Sequence, residues 1–442
     1  VLSPDDRQVV DRDRDVPGLG TILDTDALLG ALQASLPNAG IHGLELSYVH
    51  YKPYTNCRVA GLLRAKDREL SFYAKAYGAD GPVKLEKTRE LQSVPSHLGP
   101  GTLILEDAAI GVYFFPVDHR LKGLRRLADP DTEASLLKGL LGEAHEFSDA
   151  KLRPLRYKPE RRYVARLESP SGSKLLLKFF EPARYQAAKR AAEAIGETAT
   201  TATRRTNYFF DRHNAMGLEW LPGRLLSDAL LERDTSHQNG VDLVEQTGAA
   251  LSENHSSAPT ALKKQLREDE IRRLHAHAAT IAHLNPSLGE QAEKLAAKAE
   301  SALEEVPVET TALHGDFYDH QVLISGGAPM LLDLDEAMLG HPAIDLGLFI
   351  AHLERHRLYD RLSAEEADAY SRALVRGYEQ ARSAPSESVI RLYAGIGLLH
   401  LSAEPFRYRE SEWLKRMSDL LAHVEAILDG KPELQPSRRT AV

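Results

Sequence analysis

The chain has 442 residues, of which 43% are hydrophobic and 27% are charged. These fractions are typical of folded globular proteins, and the length predicts two or three packed units rather than one. The formal net charge of −9 comes from mixed acidic and basic residues, which argues against the dense positive field of a nucleic-acid groove. We therefore predict no nucleic-acid partner.

Cysteine usage and hydropathy exclude further classes. Cys57 is the only cysteine, so an internal disulfide and a thiolate metal cage are both impossible. The amino terminus lacks a basic stretch followed by an apolar stretch, and no apolar run reaches the ~18 residues that a membrane span needs. These features predict a cytoplasmic protein without a membrane partner.

In chain order, the first predicted element is a helix over residues 25–36, behind a Thr or Asp cap. Residues 44–77 alternate between apolar and polar side chains and predict three strands. Residues 130–150 have the pattern of a helical connector. After Pro222-Gly223 the periodicity predicts long helices, over residues 258–283, 287–305, 341–356, 363–382, 387–402 and 411–429.

Two segments of the amino-terminal half share one order of short motifs. Each begins with Tyr-Lys-Pro, continues through a strand that contains a lysine, and ends with two apolar or aromatic residues and a proline. The Tyr-to-Lys spacing is 24 residues in the first segment and 21 in the second. An internal duplication explains this order, and a chance similarity between short hairpins is the alternative. The motifs are Tyr51-Lys52-Pro53, Lys75 and Phe114-Phe115-Pro116, then Tyr157-Lys158-Pro159, Lys178 and Trp220-Leu221-Pro222.

Two acidic loops lie between residues 312 and 347. The apolar residues after Gln321 and before Asp333 can pair as strands across the Gly326-Gly327 turn, which would bring Asp316, Gln321 and Asp333 to one rim. Phosphoryl transfer needs an acceptor for the substrate hydroxyl proton and oxygen ligands that hold Mg²⁺ against the phosphates. This segment therefore predicts a phosphoryl-transfer site.

The order His314-Gly315-Asp316, Gln321, Asp333 and Asp345-Leu346-Gly347 resembles the aminoglycoside phosphotransferase and choline kinase superfamily, over roughly residues 150–425. The resemblance implies a protein-kinase-like fold with ATP and Mg²⁺ as cofactors. It makes Asp316 the catalytic base, Gln321 and Asp333 the metal ligands, and His314 and Asp345 structural supports. Most of the family has Asn where this chain has Gln321, whereas maltokinase-like bacterial sugar kinases carry Gln, and the chain is similar to them in plan.

The same resemblance assigns the nucleotide-binding residues. Lys178 would hold the α- and β-phosphates, with Glu193 or Glu197 as its partner on the following helix. The backbone of Glu219 and Leu221 would bind adenine. The family's Gly-rich turn is missing, and Arg161 and Arg162 stand in its place as candidate phosphate ligands. The alternatives are an edge-strand lysine and solvated arginines.

Two groups of residues are candidates for the acceptor site. Asp319 and His320 lie within the catalytic loop and could face the acceptor. Arg409, Glu410 and Trp413 could form its floor, because aromatic rings stack on sugars and acids bind hydroxyls or amines. The alternative for the second group is a helix cap with Trp413 in the core.

These expectations combine into an α+β, bilobal, protein-kinase-like fold with a β-rich N-lobe, a helical C-lobe and an additional α+β cap that resembles a duplicated N-lobe. The predicted domains are the cap over residues 20–145, the N-lobe over 150–223 and the C-lobe over 224–430. The predicted activity is transfer of the γ-phosphoryl group of ATP to a hydroxyl of a sugar or amino sugar. The alternatives are an aminoglycoside antibiotic phosphotransferase and a pseudokinase or nucleotide-binding scaffold.

Overall fold

The computed structural model describes residues 2–142, 147, 150–196, 206–232, 237–257, 259 and 261–430. The chain divides into two units. The first, which is rich in strands, takes the residues up to Gln186 together with Thr206–Trp220 and Pro405–Trp413, and the second, which is mostly helical, takes the rest. This mixture of helix and sheet confirms the predicted α+β class. No helix among the described residues is long and apolar enough to cross a membrane.

The first unit opens with three helices and a five-stranded antiparallel sheet. Strands β1, β2 and β3 are the three strands predicted over residues 44–77, and α3 is the helix predicted over 25–36. The elements are α1 (Pro4–Arg12), α2 (Leu19–Leu23), α3 (Thr25–Ser35), β1 (Ile41–Lys52), β2 (Asn56–Ala65), β3 (Arg68–Tyr77), α4 (Gly81–Arg89), β4 (Pro95–Ser96), β5 (Gly99–Pro100), β6 (Thr102–Leu105) and β7 (Ile110–Phe114).

A second five-stranded antiparallel sheet follows, and α6 leads from it into the second unit. Its elements are α5 (Pro130–Leu141), β8 (Lys151–Lys158), β9 (Arg162–Glu168), β10 (Lys174–Phe180), α6 (Pro182–Gly196), β11 (Thr206–Phe210) and β12 (Ala215–Glu219).

The second unit consists of helices around two small sheets. Residues Pro405–Trp413, which include most of α14 and the first residue of α15, belong to the first unit. The elements from Arg224 onward are β13 (Arg224–Leu225), α7 (Leu226–Leu231), α8 (His237–Ser256), α9 (Arg267–Leu284), α10 (Pro286–Glu304), β14 (Thr311–Leu313), β15 (Val322–Ser325), β16 (Ala328–Leu331), β17 (Met338–Gly340), α11 (Ala343–Leu358), α12 (Ala364–Tyr378), α13 (Glu387–Leu401), α14 (Glu404–Arg407) and α15 (Trp413–Leu428).

One predicted helix is shorter than expected at its amino-terminal end. The helix predicted over residues 258–283 begins at Arg267, and Lys264 instead forms a bridge with Leu339 of β17. The Gln265 amide also donates to the Leu339 carbonyl at 2.7 Å. Pairing with an available strand edge therefore overrides the helical propensity of this segment.

The two large sheets share one topology. The strand order is β1-β2-β3-β7-β6 in the first and β8-β9-β10-β12-β11 in the second, with every neighbouring pair antiparallel. Lys75 of β3 faces Gly111, and Lys178 of β10 faces Met216, at the same register position of each sheet. The predicted resemblance of the amino-terminal region to a duplicated lobe is thus visible in strand order and register.

A buried carboxylate anchors the first turn of the first sheet. Asp13 accepts hydrogen bonds from the Tyr51 hydroxyl at 2.6 Å and from the Tyr54 amide at 2.9 Å. Tyr54 has φ 59°, in the left-handed region. The carboxylate therefore stabilises a backbone conformation that is uncommon for a residue other than glycine.

The second sheet repeats this arrangement. Asp118 accepts from the Tyr157 hydroxyl at 2.7 Å and from the Glu160 amide at 2.8 Å, and Glu160 has φ 58°. Asp118 also accepts from the amides of Arg120 and Leu121. Since the anchor precedes its turn by about 40 residues in both sheets, the duplicated unit starts well before its first strand.

Helix α5, which lies in the segment interpreted as a connector, belongs to the core of the second sheet. Four of its leucines are buried in one hydrophobic cluster with side chains of β9 and β10. In the first sheet, α2 and α3 occupy the corresponding chain position and contact β2 and β1. The division of the first unit into a cap over residues 20–145 and an N-lobe over 150–223 stays a prediction. The α5 leucines are Leu136, Leu137, Leu140 and Leu141.

Candidate active site

The centre of the site is a hairpin in the second unit. Strands β15 and β16 pair antiparallel from Val322 opposite Leu331 to Ser325 opposite Ala328, across the predicted glycine turn. The Leu332 amide donates to the Gln321 carbonyl at 2.8 Å. The hairpin therefore places Gln321 beside Leu332, the residue that precedes Asp333.

The catalytic loop precedes this hairpin and requires a glycine. Gly315 has φ 84°, and a Cβ at this position would collide with the Glu336 carbonyl. Only glycine adopts this conformation without strain while allowing so close a backbone approach. Gly315 thus packs the loop that carries Asp316 against the loop that follows Asp333.

Asp345 fixes the same loop from behind. Its carboxylate is fully buried and accepts from the His314 amide at 2.7 Å, from the Gly315 amide at 3.0 Å and from His255 Nε2 at 2.9 Å. Burial raises the pKa of Asp345, but the hydrogen bonds from His255 and His314 outweigh it and hold the pKa below its ordinary value. The carboxylate is therefore ionised at neutral pH, as the predicted support role requires.

Hydrogen bonds fix the side chains around Asp316. His314 is buried, and its Nε2 lies 2.7 Å from the Leu332 carbonyl, so the imidazole ties the catalytic loop to the end of β16. The Gln321 amide nitrogen donates to Asp316 Oδ2 at 3.4 Å. Asp316 is partly exposed, so its carboxylate can meet a substrate.

The donor set suits Mg²⁺. Asp333 has φ 60° and ψ 47° and begins the turn after β16, and Gln321 is 7% exposed. The amide nitrogen of Gln321 is directed to Asp316, and its amide oxygen is the atom of this side chain that can bind a cation. Among the described residues, no group of three or more His, Cys, Asp or Glu side chains is arranged as a metal site. One carboxylate and one amide oxygen match a hard cation that takes its other ligands from phosphates and water.

Asp319 is buried within the catalytic loop, and its contact with an acceptor stays a prediction. It is 1% exposed, and its Oδ2 lies 3.0 Å from His356 Nε2 on α11. Burial raises the pKa of Asp319, but the His356 hydrogen bond outweighs it, and the net pKa lies below its ordinary value. His320 is exposed, with Nδ1 3.2 Å from the Ser227 hydroxyl. Asp319 therefore stabilises the loop from inside.

Some of the predicted nucleotide residues belong to the first unit and others to the second. Lys178 is 4% exposed at the centre of β10, and Arg161 and Arg162 are partly exposed at the β8–β9 turn. Glu193 is half-exposed on α6, within 3.9 Å of Lys189. Its pairing with Lys178 stays a prediction, and the alternative partner Glu197 lies outside the described residues.

The predicted hinge falls where the chain passes from one unit to the other. Glu219 ends β12 in the first unit, opposite Leu175, and the chain returns to the second unit at Leu221. Between them, the Arg166 guanidinium lies over the Trp220 ring, 5.2 Å from the centroid of that ring. The assignment of Glu219 and Leu221 to adenine stays a prediction.

The segment proposed as an acceptor floor packs on the start of the chain. Arg409 donates to both carboxylate oxygens of Asp6, at 2.8 and 2.7 Å. Trp413 is 4% exposed and makes an edge contact with Phe406. Arg409 and Trp413 thus hold this segment within the first unit, which matches the alternative of a buried Trp413, and Glu410 is partly exposed beside them.

Sequence patterns missed the polar residues behind the catalytic loop. His255 on α8 bridges Asp345 and the Tyr378 hydroxyl, and Asn254 donates to the Ala312 carbonyl at 3.3 Å. His356 on α11 binds Asp319. The partners are separated by 37 to 123 residues, so no local motif joins them, and their only sequence signal is a polar side chain on a helix face that is otherwise apolar.

Solved structures with similar folds are phosphotransferases and related kinases. A putative aminoglycoside phosphotransferase from Ralstonia eutropha is 14% identical, with a TM-score of 0.50 over 68% of this chain and 97% of that one. A choline/ethanolamine kinase family protein from Mesorhizobium loti is 15% identical, with a TM-score of 0.48 over 68% and 94% of the two chains. A macrolide 2'-phosphotransferase from Brachybacterium faecium is 16% identical, with a TM-score of 0.41 over 64% and 94%. The first of these supports the predicted bilobal kinase-like fold.

Sequence comparison identifies the family. No curated protein matches the chain. The phosphotransferase enzyme family matches residues 152–384, which is more than half of the chain and includes the whole of the catalytic loop and hairpin. The chain therefore belongs to the phosphotransferase enzyme family and is a small-molecule phosphotransferase that acts on hydroxyl groups.

Proposed function

We propose that this enzyme transfers the γ-phosphoryl group of ATP to a hydroxyl of a sugar or amino sugar, in a Mg²⁺-dependent reaction with Asp316 as the base. The observation that carries the proposal is the construction of the catalytic loop. Asp345 and His314 fix its backbone, and the Gln321 amide binds the carboxylate of Asp316. A base for phosphoryl transfer needs this restraint, because catalysis depends almost entirely on positioning and charge neutralisation.

Each residue has one task in this reaction. Asp316 accepts the proton of the acceptor hydroxyl as its oxygen attacks the γ-phosphorus, and ADP leaves with the bond to the γ-phosphoryl group broken. Gln321 and Asp333 would hold Mg²⁺, which neutralises charge on the phosphate oxygens when it is bound. Lys178, buried at the centre of β10, would bind the α- and β-phosphates.

The choice of acceptor rests on Gln321. Its longer side chain stands where most of the family has Asn, and the resemblance to bacterial sugar kinases extends to this position. The first five-stranded sheet, which precedes the sheet that carries Lys178, corresponds in chain position to the amino-terminal cap of maltokinase-like enzymes. An aminoglycoside acceptor would instead need a strongly acidic pocket to bind a polycation.

ATP consumption with Mg²⁺ against monosaccharides, amino sugars, maltose and aminoglycosides tests this proposal. Asp316→Asn should lower kcat by about 10²- to 10⁴-fold, the usual contribution of a general base. Asp368→Asn is a matched control, because Asp368 is an exposed carboxylate on α12, in the same unit as the catalytic loop. It should leave kcat unchanged.

The outcomes separate the candidate functions. Turnover with a sugar or amino sugar that Asp316→Asn abolishes would support the proposed activity. Turnover with aminoglycosides alone would identify an antibiotic phosphotransferase. ATP binding without turnover of any acceptor, and without an effect of Asp316→Asn, would contradict the role of Asp316 and indicate a pseudokinase.

A further inference from the structure

A buried cluster of charges joins the two sheets of the first unit. The Glu160 side chain is 6% exposed, and its Oε2 lies 2.5 Å from Arg58 Nη1 and 3.4 Å from Lys75 Nζ. Arg58 and Lys75 stand opposite each other on β2 and β3 of the first sheet, whereas Glu160 lies in the β8–β9 turn of the second. One carboxylate of the second sheet is therefore held by two cations of the first.

Burial and the neighbouring charges shift the pKa values of Glu160 and Lys75. Burial raises the pKa of Glu160, but Lys75 and Arg58 outweigh it, so that the pKa lies below its ordinary value. Burial lowers the pKa of Lys75, and the nearby Glu160 carboxylate offsets only part of this effect. A buried pair of this kind adds little net stability compared with apolar residues, but the loss of one partner leaves an uncompensated charge. Such a pair is more useful for fixing a geometry than for stabilising the fold.

The geometry that it fixes is that of the β8–β9 turn, which carries the two candidate phosphate ligands. Glu160 has φ 58°, a conformation that costs roughly 1 kcal/mol for a residue with a Cβ. Asp118 holds its amide, while Arg58 and Lys75 hold its carboxylate, so both ends of the residue are bound. Arg161, the next residue, is one of the two candidate phosphate ligands and donates its amide to the Lys158 carbonyl at 3.1 Å.

Lys75 has the same register position in the first sheet as Lys178 has in the second. In the proposed reaction Lys178 meets the phosphates of ATP. Lys75 meets the carboxylate of Glu160, at 3.4 Å, and lies 5.4 Å from the Tyr77 ring centroid. The first sheet thus retains an anion-binding lysine, and the anion that it binds is part of the second sheet.

We propose that Glu160 is a positioning residue for the nucleotide: its carboxylate, clamped by Arg58 and Lys75 of the first sheet, holds the β8–β9 turn in the conformation that receives the phosphates of ATP. This inference rests on the proposed function, since it assumes that ATP is the donor. It gives the first sheet a role in nucleotide binding although no catalytic loop of its own follows that sheet.

Nucleotide affinity is the first test, with the full chain throughout. Glu160→Gln keeps the shape of the side chain and removes its charge, and we expect it to raise the Kd of Mg²⁺-ATP and the KM for ATP about tenfold, the equivalent of about 1.4 kcal/mol. The kcat at saturating ATP should change less than about twofold, because Glu160 touches no reacting atom. Glu69→Gln, which removes an exposed ion pair with Arg64 in the first sheet, is the matched control and should change neither constant.

Lys75→Met is a second variant that tests the same contact if Glu160→Gln misfolds, since it leaves Glu160 paired with Arg58. It should raise the KM for ATP about threefold, and the double variant with Glu160→Gln should be less than additive, because contacting residues couple. Unchanged KM values in both single variants, with wild-type ATP binding intact, would overturn the clamp. Equal losses in kcat and affinity would indicate a merely structural role.

Hydrogen exchange of the nucleotide-free enzyme separates this inference from the proposed function. The amides of Glu160 and Arg161 should exchange faster in Glu160→Gln and in Lys75→Met than in the wild type and in Glu69→Gln, because the clamp no longer restrains the turn. If exchange rises in the clamp variants while the wild type binds no ATP, the proposed donor is wrong and the clamp stands without its nucleotide role. Unchanged exchange would refute the clamp itself.

Discussion

The two sheets of the first unit have the same strand order and the same carboxylate-anchored turn, but only the second is followed by a catalytic loop. Tyr54 in the first turn is 56% exposed, whereas Glu160 in the second is buried and ion-paired. Lys75 has a carboxylate partner that belongs to the other sheet. The duplicated scaffold therefore keeps its backbone geometry, while function depends on the side chains that each copy carries.

The largest expected difference between the copies concerns their equivalent lysines. Lys178→Met should lower kcat/KM for ATP about 10²- to 10³-fold, since it removes a buried cation from the phosphates and would cost about 3–4 kcal/mol of transition-state stabilisation. Lys75→Met should lower it by less than about tenfold, because it acts only through Glu160. Steady-state kinetics with varied ATP measures both.

The two lysine variants control each other, because each removes one partly or fully buried lysine from the same position of a five-stranded antiparallel sheet. A similar loss in both would mean that the variants report the stability of the sheets and not phosphate binding. Thermal unfolding of the two proteins without ATP distinguishes these cases, since only the folding effect persists there.

The next effect concerns the two anchoring carboxylates. Asp118→Asn should lower the free energy of unfolding by about 2–3 kcal/mol, because its buried side chain accepts four hydrogen bonds and an amide can accept fewer. Asp13→Asn should cost about 1–2 kcal/mol, since its carboxylate accepts from Tyr51, Tyr54 and Asp15. Urea unfolding measures both, and a larger loss for Asp13→Asn would contradict this order, which rests on the number of hydrogen bonds that each carboxylate accepts.

The duplication could be predicted from strand motifs but not in its full extent. Tyr51 and Tyr157 with their Lys-Pro turns are local signals, and so are the lysines of β3 and β10. The carboxylates that bind these tyrosines lie 38 and 39 residues away, where no short pattern connects them. Asp13 and Asp118 were therefore missed, and α5 was interpreted as a connector although its leucines pack under the second sheet.

The candidate site could also be predicted only where its residues are close in sequence. The hairpin between Gln321 and Asp333 could be predicted, because two apolar runs flank a Gly-Gly turn, and the structure confirms that pairing. The burial of Asp319 could not, since it depends on His356 of a helix that comes 37 residues later. Contacts between distant elements decide which loop carboxylates face solvent and which support the loop.

The stability contributed by the second turn should depend on pH, whereas that of the first turn should not. The Glu160 pKa is lowered on folding, so the stability that it contributes is present above the ordinary glutamate pKa and is lost as pH falls through its lowered value. The groups facing it are Lys75, Arg58 and His119, and burial lowers the pKa of His119, which also reduces stability as pH falls below about 6.5. Arg58 stays charged over this range.

Comparison of Glu160→Gln with the wild type isolates the glutamate. The difference in unfolding free energy should be roughly constant between about pH 6 and 8, at about 1–2 kcal/mol, and should shrink below about pH 4.5 as the unfolded-state carboxyl becomes protonated. Tyr54→Phe is the control in the first turn, and it should show no such pH dependence. A difference that persists unchanged to pH 3 would contradict the ionised clamp.

The smallest effect, and the one that should be equal in both copies, concerns the helix caps. Asp24 accepts from the amides of Asp26 and Ala27 at the start of α3, and Asp129 accepts from those of Asp131 and Thr132 at the start of α5. Replacing either cap with alanine should cost about 1 kcal/mol of unfolding free energy. Because both carboxylates cap helices and neither belongs to a turn, both variants should leave the KM for ATP unchanged. A selective rise of KM in Asp129→Ala would show that α5 influences the nucleotide sheet, and the two copies would then differ in function below their strands as well as at their turns.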